Sequence, residues 1–207
     1  MSADRHPIVL GSRNPGKLRE LQAALAHLPV DLSGLDTHPD AIVPEETGET
    51  FAENARLKAL GLARQLGVWV LADDSGLCVD ALGGRPGVQT ARYAGPGATD
   101  ADRIAKLLDE LRDVEQPNRG ARFVCALALA SPDGILLEVE ESCRGRIARH
   151  PRGENGFGYD PVFLYPDFGA TFAEVSDEAK NKVSHRGRAV RALADALRGL
   201  LAATEKE

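Results

Sequence analysis

Nothing in this 207-residue chain approaches the ~20 consecutive apolar residues of a membrane helix, so no transmembrane span is expected. Residues Met1-Ser2-Ala3-Asp4-Arg5-His6 are not followed by an apolar core of signal-peptide length, and a cytoplasmic chain is expected. Cysteine is scarce. Cys78, Cys125 and Cys143 are odd in number, lack metal-ligand spacing and sit in apolar or strand-like surroundings, which suggests buried free thiols in a reducing compartment. Basic residues are not in excess: 25 Lys and Arg against 31 Asp and Glu give a net charge of −6, which argues against non-specific duplex binding. A polyanionic small ligand is still allowed, because a local cluster of bases or a metal can dominate the field of a cleft. There is no internal repeat and no low-complexity linker. With 43% apolar and 27% charged residues, the composition is that of a globular chain, read as a single domain over residues 1–207.

What is present reads as alternating strands and helices. Ile8-Val9-Leu10 is a short strand, and a helix follows with Leu18, Leu21, Leu25 and Leu28 on one stripe, closed by Pro29. Pro39 to Glu49 is an acidic loop. Thr50 and Glu53 form a capping box for a second helix, whose inner face carries Phe51, Ala55, Ala59 and Leu62. The apolar run ending at Ala72 is a strand, and Thr99 with Asp102 starts a third helix bearing Ile104, Leu107 and Leu111. Arg122 to Ala130 and Ile135 to Cys143 form a hairpin about Pro132-Asp133-Gly134, and a final helix begins after Ser184. The order strand-helix-helix-strand-helix-hairpin-helix predicts an α/β fold with a mixed sheet.

Four segments carry chemistry. Asp73-Asp74-Ser75-Gly76 places adjacent carboxylates at the end of a strand, entering a Ser-Gly turn. Like charges side by side raise each other's pKa, and a hard divalent cation relieves the conflict. A solvated Asp-Asp turn is the plain alternative. Ser12 to Lys17 joins a strand to a helix N-terminus, the geometry in which backbone N–H groups and the helix dipole bind an anion; it is not a Walker A loop. In Pro44-Glu45-Glu46-Thr47-Gly48-Glu49, Glu45 could converge with Asp74 into a hard oxygen site suited to Mg²⁺ rather than zinc. Gly156-Phe157-Gly158-Tyr159-Asp160-Pro161 offers aromatics among glycines for stacking a planar ring. Lys180, His185 and Arg186 place positive charge at the start of the last helix, where structural logic prefers acids. Together the four suit a nucleoside triphosphate.

Ser12-x-Asn14-x-x-Lys17, Glu45 with Gly48, Phe51-x-Glu53-Asn54-Ala55, Asp73-Asp74-Ser75-Gly76-Leu77, Gly83-Gly84-x-Pro86-Gly87, Phe157-Gly158-Tyr159-Asp160-Pro161 and Ser184-His185-Arg186 occur in that order. The set resembles the inosine/xanthosine triphosphate pyrophosphatase family (non-standard purine NTP pyrophosphatases, Ham1-like) from Ile8 to about Leu201. The resemblance implies an elongated, two-lobed α/β fold around a long mixed sheet, with the active-site cleft between lobes and a homodimeric assembly. It also implies Mg²⁺-dependent hydrolysis of ITP, dITP and XTP to the monophosphate and pyrophosphate.

Carried over by position, Ser12, Arg13, Asn14, Pro15, Gly16 and Lys17 would hold phosphates, with Lys58 a further candidate. Glu45 and Asp74 would bind Mg²⁺, and Asp74 would be the general base. Ser75, Phe157, Gly158, Tyr159, Asp160, Lys180, His185 and Arg186 would bind sugar and base. Arg13 stands where relatives have a small residue, so its bulk must engage the phosphates or point away. Selectivity would rest on the purine six-position, a carbonyl acceptor in hypoxanthine and xanthine and an amino donor in adenine. A Maf-like nucleotide pyrophosphatase and a non-catalytic nucleotide-binding module are the competing readings. Ser184-His185-Arg186 speaks against the first, and the retention of Glu45, Asp73 and Asp74 against the second.

Overall fold

Helix and strand boundaries follow the caps and the apolar spacing. The computed structural model describes residues 5–204; Met1 to Asp4 of the N-terminal stretch and Glu205 to Glu207 lie outside the described residues. The order is β1 (His6–Leu10), α1 (Pro15–Leu25), β2 (Val30–Gly34), α2 (Phe51–Leu66), β3 (Trp69–Val79) and α3 (Asp100–Glu110). There follow β4 (Gly120–Ser131), β5 (Gly134–Ile147), β6 (Phe163–Tyr165), β7 (Ala170–Thr171), α4 (Asp177–Val183) and α5 (His185–Thr204). The strands hydrogen-bond in the order β2-β1-β3-β4-β5-β6-β7. β1 is parallel to both β2 and β3, and β6 is antiparallel to β5 and β7, so the sheet is mixed as predicted.

The chain divides into two compact units. One comprises Met1–Asp74, Ala126–Glu140 and Ala189–Glu207, the other Ser75–Cys125 and Glu141–Arg188, so β3, β4 and β5 each contribute to both. In the first unit Ile8 and Leu10 of β1, Leu21 and Leu25 of α1, and Ala55, Ala59 and Leu62 of α2 are buried. Thr50 and Glu53 form the predicted reciprocal capping box at the start of α2. Gly11 packs closely on α2: a Cβ there would lie 2.9 Å from Leu62 Cδ1, so the Leu62 side chain would have to shift. In the second unit the core is aromatic. Phe123 lies against Phe163, ring centroids 4.4 Å apart, and Phe163 against Phe172 at 5.0 Å. Arg119 is buried there, and its guanidinium donates to the carbonyls of Leu111, Ile147 and Ala148 at 2.6, 2.9 and 3.2 Å.

Several boundaries depart from the sequence reading. Asp73-Asp74-Ser75-Gly76 is not a turn; it lies inside the 11-residue β3. β2 was not anticipated, and α1 ends at Leu25 rather than continuing to Pro29. Lys180 belongs to a separate helix, α4. Ser184 then adopts an extended conformation, and its Oγ accepts the Gly187 N–H at 3.1 Å, capping α5. Cys78, Cys125 and Cys143 are free and buried, as expected. Among the described residues no helix is long and apolar enough to cross a membrane.

Candidate active site

The candidate residues form two clusters, one in each unit. In the first, the β1–α1 turn is organised by Asn14, the N-cap of α1, whose Oδ1 accepts the N–H groups of Gly16 (2.8 Å) and Lys17 (3.3 Å). Ser12 Oγ accepts the Asn14 N–H at 3.2 Å, and Pro15 is the first residue of α1, where its missing N–H costs nothing. The Arg13 guanidinium donates to the carbonyls of Pro39 and Ala41, both at 3.4 Å. Its bulk is therefore engaged with the acidic loop.

The carboxylates of Asp73 and Asp74, successive residues of a strand, point to opposite faces. Asp73 is buried, its Oδ1 lies 3.0 Å from Lys17 Nζ, and its carbonyl accepts a hydrogen bond from Lys58 Nζ at 3.0 Å. Lys58, itself buried on α2, also contacts Glu46 Oε1 at 2.5 Å. It thereby pins the acidic loop to β3.

Asp74 is in a different condition. Burial, then the charge of Glu46, push its carboxyl up to about 6, with Lys58 and the Asn54 amide pulling against them and Asp73 contributing least. The tuning expected from Asp73 is therefore minor, because Lys17 satisfies that charge. Asp74 Oδ2 is buried without a hydrogen-bond partner. Asn54, almost fully buried, accepts the Gly48 N–H at 2.8 Å and so holds the acidic loop from α2.

Glu46 and Asn54 were not singled out from sequence as site residues. Asn54 and Lys58 are four apart on a helix, on one face, which is the signal that could have found Asn54. Glu46 is the acid acting electrostatically on Asp74, whereas Glu45, the sequence candidate, is exposed. Among the described residues no three His, Cys, Asp or Glu side chains gather as a metal cage. The donor set suits a cation held by one or two carboxylates plus ligand phosphate, and the unpartnered hard oxygen of Asp74 fits Mg²⁺.

The second cluster surrounds Phe157. Phe157 is 54% exposed, whereas Tyr159 and Asp160 are buried. Asp160 Oδ2 accepts the Phe157 N–H at 2.9 Å and lies 2.5 Å from Lys180 Nζ. The Tyr159 hydroxyl donates to the Thr90 carbonyl at 3.1 Å, and burial raises its pKa. Gly156 has φ +74°, and a Cβ there would collide with the Asp160 carboxylate, so only glycine fits the turn. Lys180 Nζ and Arg186 Cζ lie 4.8 and 5.4 Å from the centroid of the Phe157 ring. His185 is buried and stacked on Phe123 at 4.7 Å and 14°. Ser75 and Gly158 are half-buried.

The chain resembles known proteins in both sequence and fold. The Ham1 family profile matches residues 8–196. The chain is 55% identical over 183 residues to the dITP/XTP pyrophosphatase of Geobacillus kaustophilus, covering 88% of this chain and 90% of the relative. It is 54% identical over 188 residues to that of Gloeobacter violaceus, covering 90% and 91%. The structure of a HAM1 protein from Coxiella burnetii superposes with a TM-score of 0.89 at 44% identity, covering 94% of this chain and 99% of that one. On motif order, fold and sequence identity together, the chain belongs to the Ham1 family.

Proposed function

We propose that this protein hydrolyses deaminated purine nucleoside triphosphates (ITP, dITP and XTP) to the nucleoside monophosphate and pyrophosphate. The reaction class and the deaminated purines follow relatives that carry the name dITP/XTP pyrophosphatase at more than half identity. The observation that carries the mechanism is the condition of Asp74: a half-buried carboxyl raised to about 6, with one oxygen lacking any protein partner. A carboxylate of ordinary pKa is a poor base at neutral pH. One raised towards 6 remains mostly ionised at pH 7 and holds a proton more tightly.

In this mechanism Asp74 takes a proton from the attacking water as the new P–O bond forms. The α–β phosphoanhydride breaks, pyrophosphate leaves, and the proton passes to solvent. Lys17 and Lys58, paired with Asp73 and Glu46 in the free protein, would exchange those partners for a polyphosphate, and the amide-rich start of α1 favours its negative charge. Asp74 Oδ2, with an acid of the Glu45–Glu46 pair, would hold Mg²⁺. When bound, the ion would supply charge neutralisation on the phosphates and greater acidity of nearby water. Phe157 provides the face for the purine, Lys180 and Arg186 surround it with donors, and Tyr159 and Asp160 support it from below. A homodimer and a cytoplasmic location are proposed with this function, on the resemblance and on the reduced, buried thiols.

A panel of ITP, XTP, GTP and ATP with Mg²⁺, assayed separately for pyrophosphate and phosphate, tests the assignment. Pyrophosphate from ITP and XTP, with ATP at least ~10²-fold poorer, is the expected outcome, because donors placed for a six-carbonyl are left unpaired by adenine. Release of phosphate, or binding without turnover, refutes it.

A further inference from the structure

The segment 153–158 that presents Phe157 has little internal reason to hold one shape. Gly153, Gly156 and Gly158 all have φ in the left-handed region. Asn155 anchors the middle of the segment, donating from its backbone N–H and its side-chain amide to the carbonyls of Ala173 and Val175, both at 3.1 Å, and a pair of carboxylates holds the successive amides of the far end. The Phe157 N–H goes to Asp160, and the Gly158 N–H is donated to Asp100 Oδ2 at 2.7 Å, across 58 residues of sequence.

Asp100 is the first residue of α3, yet it is not needed as that helix's cap: Thr99 and Asp102 form the capping box. Its other oxygen is paired with Arg103, whose Nη1 donates to the carbonyls of Ala91 and Ala98 at 3.1 and 2.7 Å. The carboxylate is therefore held from behind while it reaches forward to the loop. Beside this tether lies a cavity of about 530 Å³, lined mainly by apolar side chains including Ile104, Leu108, Pro151 and Phe157.

We infer that Asp100 is a positioning residue for purine recognition: by holding the Gly158 amide it sets the Phe157 ring in the pose in which a base stacks. The inference rests on the proposed reaction for its kinetic consequence but not for the tether itself. Asp100→Ala and Asp100→Ser remove the long acceptor, whereas Asp100→Asn keeps an oxygen at the same reach. Base–aromatic stacking is worth enough that its loss raises KM for ITP by at least ~5-fold. We expect that rise in the Ala and Ser variants, with kcat within ~2-fold of wild type and with KM largely restored in Asn.

Backbone hydrogen exchange of 156–158, followed in the same variants without nucleotide, accelerates in Ala and Ser and not in Asn. If KM for ITP is unchanged in both Ala and Ser, or if Asn is as impaired as Ala, the inference fails. Unchanged exchange at Gly158 also overturns it. If wild type itself releases no pyrophosphate from ITP, the proposed function falls instead, and the exchange measurement alone decides the tether.

Discussion

Asp73 and Asp74 are chemically identical neighbours that the strand sends to opposite faces, and their surroundings make them different acids. Asp73 meets Lys17 and is neutralised; Asp74 meets burial and Glu46, and its carboxyl rises to about 6. The consequence for stability has a definite sign. A folded-state pKa above the ordinary 3.8 means that the folded protein binds the proton more tightly than the unfolded chain. The contribution of Asp74 to stability is therefore greatest below about pH 4, declines as pH rises to about 6, and stays reduced above it.

Asp74→Asn, neutral at every pH, escapes this cost. In chelator, without metal, urea unfolding of the variant at pH 8 should show a gain of roughly 1–2 kcal/mol, allowing for solvent screening of a half-exposed group. The gain should vanish near pH 4. Equal stability of the two proteins at pH 8 would show that Asp74 is not held against its ionisation. Adjacent acids in an irregular loop carry no periodicity to say which one faces inward. Glu45 is carried by the resemblance, and Glu46 is the loop acid whose charge raises the Asp74 carboxyl.

At the scale of elements, the helices were legible because their caps and stripes are local. Thr50 with Glu53 and Thr99 with Asp102 form the boxes that their spacing predicts. The missed elements are those whose stability comes from neighbours. Val-Asp-Leu-Ser-Gly of β2 has too few apolar residues to announce a strand, and forms one because β1 pairs with all five of its residues in parallel. β6 and β7, three and two residues long, are below the length at which alternation can be read. Asp160 was named from its motif, but its function as a strut depends on Lys180, twenty residues on and in another helix.

Arg119 is a second element-scale feature hidden in the sequence. Its buried fork ties the carbonyl of Leu111, at the C-terminal end of α3, to those of Ile147 and Ala148 at the end of β5. Arg119→Ala removes the shared donor, leaving the Leu111 and Ile147 carbonyls only the Val114 N–H and the Gln116 amide, and opens a cavity. It should cost about 3 kcal/mol or more in denaturant unfolding. A loss below about 1 kcal/mol would mean that water replaces the guanidinium.

At the scale of the whole molecule, function is divided along the chain. The acids and lysines suited to a polyphosphate belong to one unit, and the exposed aromatic with its cations to the other. This division explains why no single motif was decisive and why their order along nearly the whole chain was. The most direct test of the account is turnover of ITP by Asp74→Asn, measured as pyrophosphate release with folding verified in parallel. The account predicts a fall in kcat of at least ~10²-fold in a folded protein, as for loss of one central electrostatic group. Near-wild-type turnover would contradict it.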